Sequence, residues 1–233
     1  ACAKADPTYN HDTTSNDEDD NDNDPITDAL YELLDPTGHN NALGALYAEL
    51  CGHDAPLYEL CSLVTWPGSL RQSVHPDAAH QPHPPLFAAF IAVQDITLEM
   101  GPTLFLPGTH LPTPERAQFD EMTTRNDMIA SYATPKLATL KAGDLAIFDM
   151  RCLHVGSANE GINNNKDDAA ARVLFNVTFR NPKANKSIIG YEGSIRKPYL
   201  DQLTLDGMQE ELLKKKNKET KGEKNDVAFA EWP

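Results

Sequence analysis

The chain is short of positive charge, carrying 20 Lys and Arg against 35 Asp and Glu for a formal net charge of -15. A surface of that sign repels phosphate backbones, which argues against nucleic acid as a partner. No apolar run approaches the ~20 residues needed to span a bilayer as a helix. Paired cysteines are also missing. Cys2, Cys51, Cys61 and Cys152 stand singly, without a CxxC pair, so a zinc ribbon is not suggested. Scattered cysteines read as reduced, mostly buried thiols. The two Asn-X-Ser/Thr triplets, at Asn176 and Asn185, read as chance, the first because it lies in an apolar strand-like run. Together these point to an intracellular, cytoplasmic setting. The chain starts at Ala1 rather than Met, which suits a fragment, a processed form or a trimmed one; a targeting segment lost before Ala1 leaves no trace.

What remains is 233 residues, enough for one domain with a sizeable core and tails. Residues 1–25 end in a run of Asp and Asn with one Glu and read as an acidic, disordered tail. Ile26, Leu30, Leu33 and Leu34 recur at helical spacing, stopped by Asp35-Pro36. A second helix fits Asn40–Cys51, with Gly52 just past its end. Strands are expected at Leu57–Val64, Leu86–Val93, Thr103–Leu106, Lys136–Leu140, Leu145–Asp149 and Arg172–Arg180. The continuous apolar run of Leu86–Val93 suits a strand covered on both faces. Thr113-Pro114-Glu115 reads as a capped helix start, and that helix is expected to carry Phe119 and Met122. Near the end, Gln209–Leu213 reads as a short helix and Lys214–Lys224 as a solvated lysine-rich tail. Short strands separated by Pro and Gly turns, with helices concentrated early, imply a mainly β sandwich or barrel braced by helices. The organisation read from this is a tail at 1–25, a domain at 26–205, and a C-terminal helix and tail at 206–233.

The chemistry centres on His75-Pro76-Asp77. Proline biases the residue before it toward extended backbone, and residues i and i+2 of an extended segment point to one side. His75 and Asp77 can therefore aim an imidazole nitrogen and a carboxylate oxygen at one point. That is two-thirds of the 2-His-1-carboxylate triad that holds non-heme iron with open positions. His154, placed after a strand and before a Gly/Ser loop, is the candidate for the third ligand. Taken singly, each residue also has a plain structural reading as a turn or strand-end group. Arg172, at the start of the next strong strand, suits a carboxylate anchor. Arg180 competes for that role, but it lies about 26 Å along the same strand at ~3.3 Å per residue. Both cannot hold one carboxylate.

The order His75-Pro76-Asp77, then Met100-Gly101-Pro102-Thr103-Leu104-Phe105-Leu106-Pro107-Gly108-Thr109-His110, then Gly143-Asp144 through His154 and Asn159, then Arg172-Val173-Leu174-Phe175, resembles the phytanoyl-CoA dioxygenase (PhyH) family over roughly Leu57–Pro182. The resemblance implies a double-stranded β-helix (jelly-roll, cupin-like) fold and Fe(II)/2-oxoglutarate-dependent oxygenase activity. It implies His75, Asp77 and His154 as iron ligands and catalytic residues, and Arg172 as the anchor for the distal carboxylate of 2-oxoglutarate. Ser157 and Gln72 are implied as further co-substrate contacts, and His110 as part of a structural turn. His80 and His83 are expected at the mouth of the site. Ascorbate is a compatible reductant. The reaction implied is hydroxylation of a C–H bond in a small-molecule or lipid-like substrate, with release of succinate and CO2. The presence of Asp77 favours hydroxylation, because in halogenating relatives that carboxylate is replaced by a small residue. The alternatives are a non-catalytic jelly-roll binding protein, and a cupin-like iron enzyme that does not use 2-oxoglutarate.

Overall fold

A computed structural model describes residues 25–35, 37, 42–161 and 171–221. The expectations for the acidic tail up to residue 24, for Pro36 and for the last lysines lie outside the described residues, as do residues 162–170. The chain divides into two compact units, one of residues 45–207 and one of 1–44 with 208–233.

The larger unit is built from two antiparallel sheets. One has the order β1-β7-β2-β5, formed by β1 (Leu57–Thr65), β7 (Arg172–Arg180), β2 (Leu86–Ala92) and β5 (Leu145–Asp149). The other has the order β4-β3-β6, formed by β4 (Lys136–Leu137), β3 (Thr103–Phe105) and β6 (His154–Gly156). An isolated bridge between His75 and His154 extends the smaller sheet by one more line of chain. The described architecture is thus mainly β, with helices beside it.

Every residue of β2 is buried, as its unbroken apolar sequence requires for a strand covered on both faces. Its even residues Leu86, Ala88, Phe90 and Ala92 join Leu174, Met150 and Tyr58 in the inner core. The odd positions face the other way. There Tyr47 of helix α2 (Ala42–Cys51) donates a hydrogen bond to the Val177 carbonyl at 2.7 Å and stacks on Phe179 at 4.7 Å. Strand β7 therefore turns Arg172, Leu174, Asn176, Thr178 and Arg180 inward, as the alternation of a strand dictates. Its partner β1 sets Thr65, Leu63 and Cys61 opposite Arg172, Leu174 and Asn176, with Glu59 paired to Thr178.

β1 is a terminal strand, and its open edge is lined by residues 191–195. Ser194 Oγ accepts from the Leu60 N–H and donates to the Leu60 carbonyl. Ile195 N–H reaches the Tyr58 carbonyl, and a Cβ on Gly193 would lie 2.0 Å from that same oxygen. Glycine is needed there to let the two backbones meet.

Several helices differ from expectation. Helix α3 (Pro114–Asp120) has Thr113 as its cap, accepting from the Arg116 N–H, and carries buried Phe119. It stops before Met122, which is 79% exposed. Helix α4 (Arg125–Ser131) follows, with Met128 buried. Seven residues with two adjacent apolar positions give no readable period. Strand β4 is two residues long rather than five.

In the smaller unit, helix α1 (Pro25–Leu34) ends at Leu34, whose carbonyl accepts from Gln209 Nε2 at 2.7 Å. Helix α5 runs Leu205–Lys221, well beyond the short helix expected at 209–213. Its lysines are spaced to meet acids on their own helix, Lys214 with Glu210 and Glu211, and Lys216 with Glu219. Such i,i+3 and i,i+4 pairs support a helix that the apolar pattern alone does not reveal. Lys216 also reaches Asp28 of α1 at 3.1 Å. Among the described residues no helix is long and apolar enough to cross a membrane.

Candidate metal centre

His75, Asp77 and His154 converge. One donor atom from each lies within 4.8 Å of the other two, and this is a group of the kind that could hold a metal ion. His75 Nε2 stands 3.4 Å from Asp77 Oδ1, and His154 Nε2 stands 3.2 Å from Asp77 Oδ2. Backbone pairing produces this. His75 and His154 exchange both N–H···O bonds at 3.0 Å, so two residues 79 apart in sequence are locked opposite each other. Asp77 follows by two residues, and its N–H and that of Ala78 both bond to the Met150 carbonyl at 3.0 Å. His154 follows β5, as expected, and is itself the first residue of the short strand β6.

Each imidazole is turned by its other nitrogen. His75 Nδ1 is 2.7 Å from the Ser73 carbonyl, and His154 Nδ1 is 3.0 Å from the Cys152 carbonyl. A carbonyl can only accept, so Nδ1 carries the proton in both rings. Nε2, which faces the Asp77 carboxylate in both rings, is then the nitrogen left to a metal. His154 is nearly fully buried, whereas His75 is partly open to solvent. Phe148 and Phe105 flank the His154 ring at 5.1 and 5.9 Å between centroids. The same two phenyl rings line an apolar groove of about 520 Å³, together with Leu46, Leu50, Phe87 and Cys152.

Burial pushes the Asp77 carboxyl up, but the hydrogen bonds and charges of His154 and His75 outweigh it and hold it well below the usual carboxylate range. The hydrogen bond to Asp77 raises His75 above its ordinary value, against burial. A carboxylate between two imidazoles, with no Lys or Arg paired to it among the described residues, is an arrangement that a divalent ion completes.

Arg172 is buried at the head of β7. Its guanidinium donates to the Gly101 carbonyl and to Thr65 Oγ1, while Nε is buried without a partner among the described residues. Burial lowers its pKa. Ser157 belongs to the same neighbourhood, for a Cβ on Gly101 would lie 2.5 Å from the Ser157 carbonyl. Gln72 is exposed; its N–H donates to the Gly156 carbonyl at 3.0 Å and its Oε1 accepts from the Gly156 N–H at 2.9 Å, which braces β6. His80 and His83 are exposed and stand outside the metal-competent group. His110 lines the apolar groove. Arg180, the competing anchor, is spent partly on Asp201, with Nε and Nη1 buried and unpartnered.

Two residues that the sequence reading passed over lie beside the triad. Glu59 is 5% exposed on the inner face of β1, and Tyr191 donates its hydroxyl to that carboxylate. The signal was available in Leu57–Thr65, where alternation puts Glu59 on the face of Cys61 and Leu63.

A family model described as Phytanoyl-CoA dioxygenase (PhyH) matches residues 3–162. No curated protein sequence matches the chain. Among solved structures, the epimerase SnoN in complex with Fe3+, alpha ketoglutarate and nogalamycin RO is 17% identical, covering 74% of this chain and 72% of its own, with a TM-score of 0.50. The non-heme alpha ketoglutarate dependent carbocyclase SnoK from nogalamycin biosynthesis is 21% identical over 76% of this chain and 66% of its own, at a TM-score of 0.50. AviO1 from Streptomyces viridochromogenes Tue57 is 17% identical over 63% and 60%, at 0.48. The chain thus spans less than two thirds of the length of SnoK and AviO1, 66% and 60% respectively. At these identities the likeness is one of fold, a double-stranded β-helix.

Proposed function

Because the chain belongs to the phytanoyl-CoA dioxygenase (PhyH) family, we propose that it is an Fe(II)- and 2-oxoglutarate-dependent dioxygenase that hydroxylates a C–H bond of a small-molecule or lipid-like substrate. The observation that carries this reading is the convergence of His75, Asp77 and His154 donor atoms within 4.8 Å. Two neutral imidazoles and one carboxylate on one side of an ion leave its other positions open, the pattern of non-heme iron oxygenases. SnoN, which has the same fold, is described in complex with Fe3+ and alpha ketoglutarate.

When bound, the iron and 2-oxoglutarate would supply the oxidising power, with succinate and CO2 as the co-products. The chain's own residues do the rest. Ser73 and Cys152 carbonyls hold the imidazole protons on Nδ1, so that Nε2 faces the ion. Asp77 stays ionised and offsets part of the metal charge. Arg172 is the residue for the distal carboxylate. It has a free buried Nε–H, and its other donors rest on a carbonyl and a hydroxyl that a carboxylate would displace as the stronger acceptor. Phe105 and Phe148 keep water from the buried side of His154. Epimerase and carbocyclase relatives show that one fold hosts several outcomes, so the reaction type is tested together with the site.

The test is anaerobic addition of Fe(II) and 2-oxoglutarate. A visible charge-transfer band is expected in the wild type and lost in His154→Ala. Succinate formation equally fast in Asp77→Ala and wild type would sink the reading. With a turned-over substrate, a product gaining one oxygen atom supports hydroxylation, and a product of unchanged mass or less two hydrogens points to the other outcomes.

A further inference from the structure

Glu59 is a buried carboxylate whose partners are all uncharged. Asn176 Nδ2 donates to Oε2 at 2.8 Å, the Tyr191 hydroxyl lies 2.8 and 2.7 Å from Oε1 and Oε2, and Cys61 Sγ is 3.5 Å from Oε1. Among the described residues no cation pairs with it. An ionised group is costly to bury without an opposite charge, and such groups are normally paired. Nothing in the packing of β1 demands a carboxylate here, since its inward neighbours are Cys61 and Leu63.

The position is next to the candidate metal centre. The Ala79 N–H bonds to the Ile189 carbonyl at 3.1 Å, which lays 189–191 beside 77–79. Tyr191 packs on the inner core that contains Ala78 and Ile189. Its phenol, raised by burial first and then by Glu59, also feels the charge of Asp77. Along β7, Asn176 is four residues from Arg172, about 13 Å at ~3.3 Å per residue. A co-substrate held by Arg172 and the triad leaves Glu59 and Asn176 at the far end of the same inward face. In that reading this end of the face is left to the substrate.

Charge balance then says what kind of substrate. In the reading above, Fe(II) and Arg172 cancel Asp77 and dianionic 2-oxoglutarate, while Arg180 and Lys186 share Asp201. Among the described residues the Glu59 carboxylate has only uncharged groups at hydrogen-bond distance and no cation of its own. Resting on that reading of the site, we propose that Glu59, held by Asn176 and Tyr191, is a specificity-determining carboxylate that selects a substrate carrying a protonated amine. The amine takes the place of the Tyr191 hydroxyl on Glu59, and the substrate's apolar remainder lies against Phe90, Phe148 and Leu174. Anionic substrates, and acyl chains ending in a carboxylate, are repelled.

The experiment measures binding of small primary ammonium ions, from methylammonium to phenethylammonium, each against its isosteric alcohol. Calorimetry or ligand-observed NMR at neutral pH, on protein loaded anaerobically with Fe(II) and 2-oxoglutarate, gives the ratios. At least one ammonium ion is expected to bind wild type roughly tenfold tighter than its alcohol, the strength of a charge-assisted hydrogen bond. That preference is expected to vanish in Glu59→Gln and to persist in Glu59→Asp. Tyr191→Phe frees the carboxylate of its competitor, so ammonium binding is expected to tighten; this variant carries the test if Glu59→Gln does not fold. Equal ratios in wild type and Glu59→Gln, no ammonium binding in wild type, or unchanged binding in Tyr191→Phe would each overturn the proposal. Loss of the charge-transfer band in wild type is a separate failure, that of the iron reading; the ammonium ratios can still be read on the metal-free protein.

Discussion

His154 Nε2 lies 3.2 Å from Asp77 Oδ2, while Nδ1 of the same ring lies 3.0 Å from the Cys152 carbonyl. The ring is therefore fixed from behind by backbone and offered in front to whatever Asp77 holds. Asp77→Asn keeps the shape but removes the charge and one strong donor atom. Its Fe(II) affinity is expected to fall by more than about 100-fold, beyond the ~10–100-fold typical of losing an outer partner of a ligand. Metal titration monitored by the charge-transfer band checks this, with the far-UV circular dichroism spectrum unchanged.

How much of this centre was legible follows from its parts. His75-Pro76-Asp77 is local, so the strand rule predicts that both side chains point one way, and they do. His154 is 79 residues on, and only the β6 pairing brings it opposite His75. Sequence alone had no means of seeing that exchange; family resemblance supplied it. The long apolar strands β1, β2 and β7 were readable because burial on one or both faces leaves a pattern. Helix α4 was not, since seven residues held by Arg125 Nε on the Phe119 carbonyl and by Ser131 on the Asp127 carbonyl need no apolar period. Helix α5 was under-read because its length rests on charge spacing and on Asp28, far away in sequence. Glu59 was missed because a charge in a strand reads as solvent-facing by default.

Metal binding should depend on pH in a defined sense. His75 is raised above its ordinary value of 6.5, so a proton competes with the metal for it more strongly as pH falls. Apparent Fe(II) affinity is expected to climb as pH rises above 6.5 and to level off once the ring is neutral. In the metal-free protein the same shift works on stability the other way. The raised His75 contributes stability below 6.5 that is lost as pH rises through its folded value, whereas the depressed Asp77 contributes stability above 3.8 that is lost only as pH falls well into acid. Melting curves of metal-free protein across pH 5 to 9 should therefore decline on the alkaline side, and addition of metal should reverse the trend.

Arg172 has two duties, and substitution separates them. Arg172→Leu removes the carboxylate anchor and leaves the Gly101 carbonyl and Thr65 hydroxyl without a donor. The expected result is loss of about 1–3 kcal/mol of stability with a large rise in KM for 2-oxoglutarate. Arg172→Lys should recover much of the stability but little of the co-substrate affinity, because a point charge cannot reproduce the planar fork. Parallel melting and 2-oxoglutarate titration of both variants measure the two effects.

Gly101 sits at φ 69° with the Ala158 carbonyl oxygen 2.2 Å from where a Cβ would be. The obstacle is backbone and cannot move aside. Gly101→Ala is expected to destabilise by roughly 2 kcal/mol or more, from strain and clash together. Because its carbonyl also holds Arg172, 2-oxoglutarate binding should weaken in step with the fall in Tm.

Asp201 joins Arg180 and Lys186 in one ion cluster. Arg180 is 3% exposed, so its loss of a partner is not made good by solvent. Asp201→Ala is expected to cost about 1–3 kcal/mol, while Lys186→Ala, at an exposed amine, should cost less than about 1 kcal/mol. Denaturant unfolding of the two variants distinguishes them.

The pairing of β1 with β7 has a consequence for how the chain is made. Thr65 and Arg172 are 107 residues apart, and the edge of β1 is finished only by Ser194, 134 residues from Leu60. A ribosome delivers β1 long before either partner exists. During that interval its inward face and both its edges have no native cover, and the loop closure that ends the wait is a slow step. His75 and Asp77 emerge early too, yet the metal grip stays unmade until His154 arrives. The proposed iron and co-substrate site can therefore be assembled only after His154 and Arg172 have joined β1 and His75, so a chain that stops short of them has no grip on the ion.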